Sequence, residues 1–239
     1  MHVEWVSAVD STNAELVRRA SVAPLADLTV LATTNQTAGR GRLGRSWVAP
    51  DGTALAVSVF VERGSSWLPL LTGLAMTRAV RAFVDPAAVM LKWPNDVLIA
   101  ERKVSGILGE VVGSGAVIGA GLNLAMSEAQ LPVPTATSLV LSGVDPQLLA
   151  ERALDRYLSE FVALWEQFVA AGFDAEQGLR DEVSDACGTL GRTVRVELPG
   201  GEVREGIAAS IDPDGRLIVN DGGSEFAVAA GDVTHVRVV

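Results

Sequence analysis

The hydrophobic rhythm of this chain changes near residue 188, and that change limits the fold more than any other feature. Beyond it, five short apolar runs crowd together at 193–198, 203–211, 216–219, 225–228 and 233–238. Turn residues fill the gaps at 199–201, 212–215 and 221–223. Short strands at close spacing with turn signals between them specify a small β-barrel. Before residue 188 the spacing is mixed. The stretch 146–171 carries Leu149, Leu154, Tyr157, Leu158, Phe161, Trp165 and Phe168 at three- and four-residue intervals, the pattern of a helix with one apolar face. Residues 54–61 form a compact apolar run of strand length, interrupted by Ser58. The fold class this predicts is α+β. A mixed β-sheet with helices packed on it occupies 1–188, and the small barrel occupies 189–239, with the boundary near 185–190.

Within the first unit, Thr12 and Glu15 have capping-box spacing, which predicts a helix over 13–23. Further strands are expected at 28–33, 89–92, 97–100, 104–112 and 116–122, and a core-facing helix at 68–84. A tight turn through Glu101 and Arg102 would join two of these strands. Two long segments lack an apolar period: 34–53, rich in Gly and Arg, and 123–137, which contains Pro132 and Pro134. Long loops in compact domains are commonly functional. No internal repeat is visible.

Several classes of function are excluded early. A net charge of −10 argues against a general nucleic-acid binder. The apolar runs are too short to span a bilayer, and the first residues lack a signal-peptide pattern. A single cysteine, Cys187, permits no internal disulfide and fits a reducing, cytoplasmic setting. The only histidines, His2 and His235, lie at opposite ends of the chain without metal-ligand spacing, so neither a metal site nor a Ser–His hydrolase is indicated. There is no GxxxxGK[ST] motif. Residues 39–44 do match GxGxxG, but a dinucleotide site needs a helix directly after the glycines, and the next apolar element here is the run 54–61.

The same segment still carries anion chemistry. Arg40, Arg42 and Arg45 lie among glycines, whose backbone N–H groups can converge on a phosphate while guanidinium groups make paired hydrogen bonds to its oxygens. Like charges so close together repel, so residues 39–47 are expected to be mobile without ligand and ordered with it. Lys92, Asn95 and Asp96 cluster at a strand end. Lys103 begins another strand, with Gly106 permitting close backbone approach. An arginine-rich loop and lysines at strand ends are what a reaction on a nucleoside triphosphate requires.

Together these residues resemble the bacterial biotin–protein ligases of the BirA type. The matching segments are Asp10–Asn13, Gln36 with Gly39–Trp47, Lys92–Asp96, Lys103–Glu110 and Gly119–Asn123, in the family's order. The resemblance implies a class II synthetase-like (BirA-like) catalytic domain with an SH3-like barrel at 189–239. It implies a ligase that joins biotin to ATP with Mg²⁺, forming biotinyl-5′-AMP, and passes biotin to a lysine of an acyl-CoA carboxylase carrier domain. It further implies a biotin-binding set of Ser11, Thr12, Asn13, Gln36, Gly39, Arg40, Gly41, Arg42, Trp47, Lys103 and Gly106. Within that set Ser11, Thr12, Gln36 and Arg40 would meet the ureido head, and Trp47 the apolar part. Arg42, Arg45, Lys92, Asn95 and Asn123 would serve ATP and the adenylate, with Asn123 on the adenine. Lys103, Arg40, Arg42 and Asp96 would be catalytic, and Asp96 would take the proton of the carrier lysine. No protein side chain is singled out as a direct metal ligand. Because the first motif begins at residue 10, the resemblance also leads one to expect no DNA-binding repressor domain, no nucleic-acid or membrane partner, and a monomer or weak homodimer. A lipoate–protein ligase shares this fold and adenylation logic, but the polar set suits a ureido ring better than a dithiolane.

Overall fold

The computed structural model describes residues 2–197 and 203–229, and the backbone alone of 232–235. The chain enters through a four-residue edge strand, β1 (His2–Trp5), followed by helix α1 (Thr12–Val22) and β2 (Thr29–Thr33). The predicted capping box does not form. Ser11 is the N-cap, accepting from the Ala14 N–H, and Thr12 is already helical. Glu15 turns instead to Arg18 and Arg19. The long segment after β2 is not wholly irregular. It folds into a two-stranded hairpin, β3 (Gly39–Arg40) against β4 (Ser46–Trp47), so the glycine-rich stretch opens no helix of a dinucleotide fold.

Strand β5 (Ala54–Val61) is buried along all eight residues because elements cover both of its faces. Helix α2 (Leu68–Arg81) follows, then β6 (Val89–Lys92), β7 (Asp96–Ile99), β8 (Arg102–Val112) and β9 (Gly115–Asn123). The strands form a seven-stranded sheet in the order β1-β2-β5-β9-β8-β7-β6. Only β1–β2 is parallel, so the sheet is mixed. Helices α3 (Leu149–Ala170) and α4 (Leu179–Ala186) complete this unit. Neither β1 nor α4, both short, has a residue pattern that announces it.

The two faces of this sheet differ. Leu55, Val57, Val59 and Val61 of β5 and Ile118, Ala120 and Leu122 of β9 join the side chains of α2 and α3 in the main core. On the opposite face Leu31, Phe60 and Val117 pack under Leu16 of α1 in a small second core. Helix α1 covers only part of that face, and the remainder holds the site.

The second unit is a five-stranded antiparallel sheet: β10 (Thr193–Glu197), β11 (Val203–Ile211), β12 (Leu217–Asn220), β13 (Glu225–Val228) and β14 (Asp232–His235). The chain meanders from β10 to β13, and β14 returns to pair with β10. The turn expected at 199–201 and the ends of two predicted strands, at 198 and 236–238, lie outside the described residues. Two indoles fasten this unit to the first: Trp67 Nε1 donates to the Pro213 carbonyl at 2.7 Å and Trp93 Nε1 to that of Gly215 at 3.1 Å. Among the described residues no helix is long and apolar enough to cross a membrane.

Candidate functional site

Glycines hollow out the uncovered face of the sheet. Gly106 of β8 and Gly119 and Gly121 of β9 all point there, and a methyl group at any of them would collide with a site residue. At Gly121 it would lie 2.6 Å from the Trp47 indole, at Gly119 2.1 Å from Asn13 Oδ1, and at Gly106 2.9 Å from Lys103 Nζ. The absent side chains leave a cavity lined by Ser11, Thr12, Asn13, Gln36, Arg40 and Trp47 above and by Ala56, Gly106, Leu108 and residues 119–121 below. Five chain segments meet around it.

Lys103 reaches this face through an irregularity that periodicity does not reveal. Gly106 faces Asp96 across the β7–β8 pairing, and Lys103, three residues away, would point to the other side of a regular strand. The register shifts between Val97 and Leu98, so that Ser105 and Lys103 take consecutive partners and Val104 is the extra residue. Val104 turns into the core and Lys103 towards the edge of the cavity, its Nζ 2.9 Å from where a Cβ on Gly106 would lie, although Lys103 is not itself among the residues that line it. The segment expected to be a plain loop holds this arrangement: the Lys103 N–H donates to Thr135 O at 2.7 Å, and the Thr137 N–H donates to Lys103 O at 2.8 Å. Lys103 Nζ then lies 2.6 Å from Asp96 Oδ1 and 6.0 Å from the centre of the Trp47 ring. Lys92 is the direct partner of Asp96 in the β6–β7 register, so it shares the face.

The arginine hairpin closes the cavity from above. Gly39 allows a very tight approach, since a Cβ there would fall 2.5 Å from the Trp47 carbonyl. Arg40 lines the cavity, with Nη1 4.0 Å from Glu110 Oε1. Arg42 reaches across to the turn before β7, donating to Asn95 Oδ1 at 2.9 Å, while Asn95 Nδ2 donates to Ile107 O. Gly41 and Arg45 line neither this cavity nor its neighbour. They border a separate hollow beneath the hairpin. Trp47 Nε1 is buried without a hydrogen-bond partner, a donor that a bound acceptor would satisfy.

A second, wider cleft adjoins the first along β8, the two sharing Leu108. It lies between the two units, with Arg42, Trp93, Pro94 and Asn95 on one side and Asp214, Gly215 and Arg216 on the other. Sequence reasoning did not foresee this contribution from the turn at 212–215, nor that Ser58 in β5, which lines neither cavity, would sit behind Thr12 and Asn13. Asn123 lines neither cavity. It is buried, and its Nδ2 donates to the Thr137 carbonyl at 2.9 Å, so the structure does not bring it to a nucleotide base. Asn13 lines the first cavity, but its amide is held by the protein: Nδ2 donates to Leu108 O and Glu110 Oε2, and Oδ1 accepts from Ser58. No group of three or more His, Cys, Asp or Glu side chains gathers among the described residues.

Residues 5–124 match the biotin/lipoate A/B protein ligase family, and residues 189–236 match the biotin protein ligase C terminal domain. The chain is 40% identical to a biotin--[acetyl-CoA-carboxylase] ligase of Mycobacterium tuberculosis, covering 98% of this chain and 89% of that protein. It is 32% identical to an enzyme of the same name from Paracoccus denitrificans, covering 95% of this chain and 98% of the relative. Among solved structures it is similar to the biotin protein ligase of Aquifex aeolicus in complex with biotin and ATP, with a TM-score of 0.80, 25% identity and 99% of each chain covered.

Proposed function

This chain belongs to the biotin/lipoate A/B protein ligase family, and from that premise we propose how its two cavities divide the reaction. The protein is an ATP-dependent biotin–protein ligase. It activates biotin as biotinyl-5′-AMP with release of pyrophosphate, then transfers the biotinyl group to a lysine of a carboxylase carrier domain. In our reading the smaller cavity takes biotin. Ser11, Thr12, Gln36 and Arg40 surround its ureido ring, and Trp47 covers its apolar ring and chain. The wider cleft takes the nucleotide, with Arg42 and Asn95 on the phosphate side and Asp214, Gly215 and Arg216 of the C-terminal unit forming its far wall.

The observation that carries this reading is the position of Lys103. Its ammonium lies 2.9 Å from where a Cβ on Gly106 would sit and 6.0 Å from the centre of the Trp47 ring, beside the smaller cavity, and in our reading a biotin carboxylate and an α-phosphate would meet there. Bringing two anions together is opposed by Coulomb repulsion, and fixed positive groups lower that barrier without having to reorganise. Arg40 and Arg42 come from the hairpin and Lys103 from β8, so positive charge would reach the reacting groups from two segments of the chain. Asp96 first serves to hold Lys103 in place. To take the proton of the carrier lysine it would have to leave that pair. The site also fits a Mg²⁺ ion carried in on the triphosphate, since magnesium is commonly held by phosphates and one or two carboxylates, and Asp96 is the carboxylate at hand. When bound, the ion would neutralise phosphate charge. Arg45 and Gly41, at the hairpin tip, would shield the adenylate from water when the hairpin closes. Incubation with biotin, ATP, Mg²⁺ and a biotin-carrier domain should add one biotinyl group to the carrier, as read by intact mass. An unmodified carrier would reject the assignment.

A further inference from the structure

We propose that Ser58 and Asn13 set the direction of a buried hydrogen-bond chain, so that Thr12 offers the ligand only an acceptor and the pocket selects an N–H at that position. This deepens, and rests on, the reading of the smaller cavity as the biotin site.

The argument starts from Asn13. Its Nδ2 lies 3.0 Å from the Leu108 carbonyl and 2.9 Å from Glu110 Oε2. Both are acceptors, so the amide cannot be turned over without setting its oxygen against two other oxygens. Asn13 Oδ1 therefore faces Ser58, 2.6 Å from its Oγ, and an amide oxygen can only accept. Ser58 has one proton, and this contact takes it. The second close contact of Ser58, 2.7 Å to Thr12 Oγ1, must then run the other way, with Thr12 donating to Ser58. Thr12 also has one proton. Its 3.2 Å approach to Gln36 Oε1 is consequently not a donation, and Gln36 Oε1 is satisfied by the Thr12 backbone N–H at 2.8 Å.

Two consequences reach the cavity. Thr12 Oγ1 presents only lone pairs to a ligand. Gln36, with its oxygen committed to Thr12, keeps its Nε2 as a donor beside Gly39. The wall is thus an acceptor next to a donor, the complement of an N–H next to a C=O. Ser58 is fully buried and Asn13 nearly so, which holds the chain in this sense away from competing water. Gly119 is part of the device, because a Cβ there would collide with Asn13 Oδ1. Asn13 and Ser58 act through Thr12 and are positioning residues.

The test uses biotin and two cyclic carbamate analogues, in each of which one ureido N–H is replaced by a ring oxygen. Kd values are measured by calorimetry. For the wild-type protein one carbamate, the one placing oxygen against Thr12, should bind at least about 100-fold more weakly than biotin. In Ser58→Ala the Thr12 proton is released and can turn to the ligand, so the gap should shrink to about 10-fold or less while biotin itself weakens. A merely structural loss would weaken all three ligands alike and leave the ratio unchanged, which would overturn the proposal. If Ser58→Ala does not fold, the wild-type ratios decide, and carbamates binding within about threefold of biotin would overturn it. Failure of the wild-type protein to bind biotin would sink the ligase reading and this inference with it. Biotin binding without a carbamate penalty would sink the inference alone.

Discussion

On β9, Ile118, Ala120 and Leu122 point into the core beneath α2 and α3, whereas Gly119 and Gly121 between them point at the cavity. On β5 the odd positions from Leu55 to Val61 fill the same core, while Ala56 and Ser58 face the site. One set of strands thus builds both regions. The core face gains from every methylene it buries, on the order of 0.8 kcal/mol for each. The site face gives that up, leaving hydrogen atoms where side chains would be and polar groups where methyls would be. Stability and chemistry are therefore separated by the pleat, and substitutions one residue apart should have opposite phenotypes.

The largest effect should come from Lys103→Ala. Removing one preorganised electrostatic group commonly costs about 2.7–4 kcal/mol. Single-turnover formation of the adenylate should fall ~100–1000-fold, with the variant still folded at the assay temperature but its Tm lowered, because Asp96 loses its partner. Retention of near-normal rates would show that the site face does not act as described. Next come two positions on β9, one on each face. Gly121→Val would drive a side chain into the Trp47 indole, 2.6 Å from its Cβ, and should raise KM for biotin at least ~10-fold. Ile118→Ala should instead cost about 2–5 kcal/mol of stability and leave KM for biotin alone. If these two variants exchanged phenotypes, the division between the faces would be wrong.

A smaller effect is expected at the joint between the units. Trp93→Phe removes the indole donor to Gly215 O, worth about 1 kcal/mol. It should raise KM for ATP a few-fold without changing that for biotin, which steady-state kinetics would show. The smallest concerns pH. Arg18, and then the Ser11 N–H, hold the Asp10 carboxyl down to about 2 from its ordinary 3.8. A depressed carboxylate contributes stability that is fully present above its unfolded value and is lost as pH falls through its folded value. Asp10→Asn should therefore differ from the wild type above pH ~4 and converge with it towards pH ~2. The Tm difference should be only about 1 °C, because the ion pair is solvent-exposed.

The core face was the more legible of the two in the sequence. The 54–61 run and the three- and four-residue spacing of 146–171 repeat one physical requirement many times, so the strand matched and the long helix was misjudged only at its ends. The site face depends on single events. The motif residues near it could be named, but the extra residue at Val104, which turns Lys103 inwards, leaves no period to read. Ser58 looked like an interruption of an apolar strand, when it is the link between Thr12 and Asn13. Asn123 was expected at the adenine because of its neighbours in sequence, while its amide is committed to Thr137. Helix α4, with eight residues, and β1, with four, are too short to establish a rhythm.

Biotin-dependent ATP–pyrophosphate exchange, run side by side with lipoate, tests most directly whether this cleft is built to join a ureido-ring acid to a nucleotide. Rapid exchange with biotin and little above background with lipoate is the result expected. Equal exchange with both acids, or exchange with lipoate alone, would contradict the assignment of the smaller cavity.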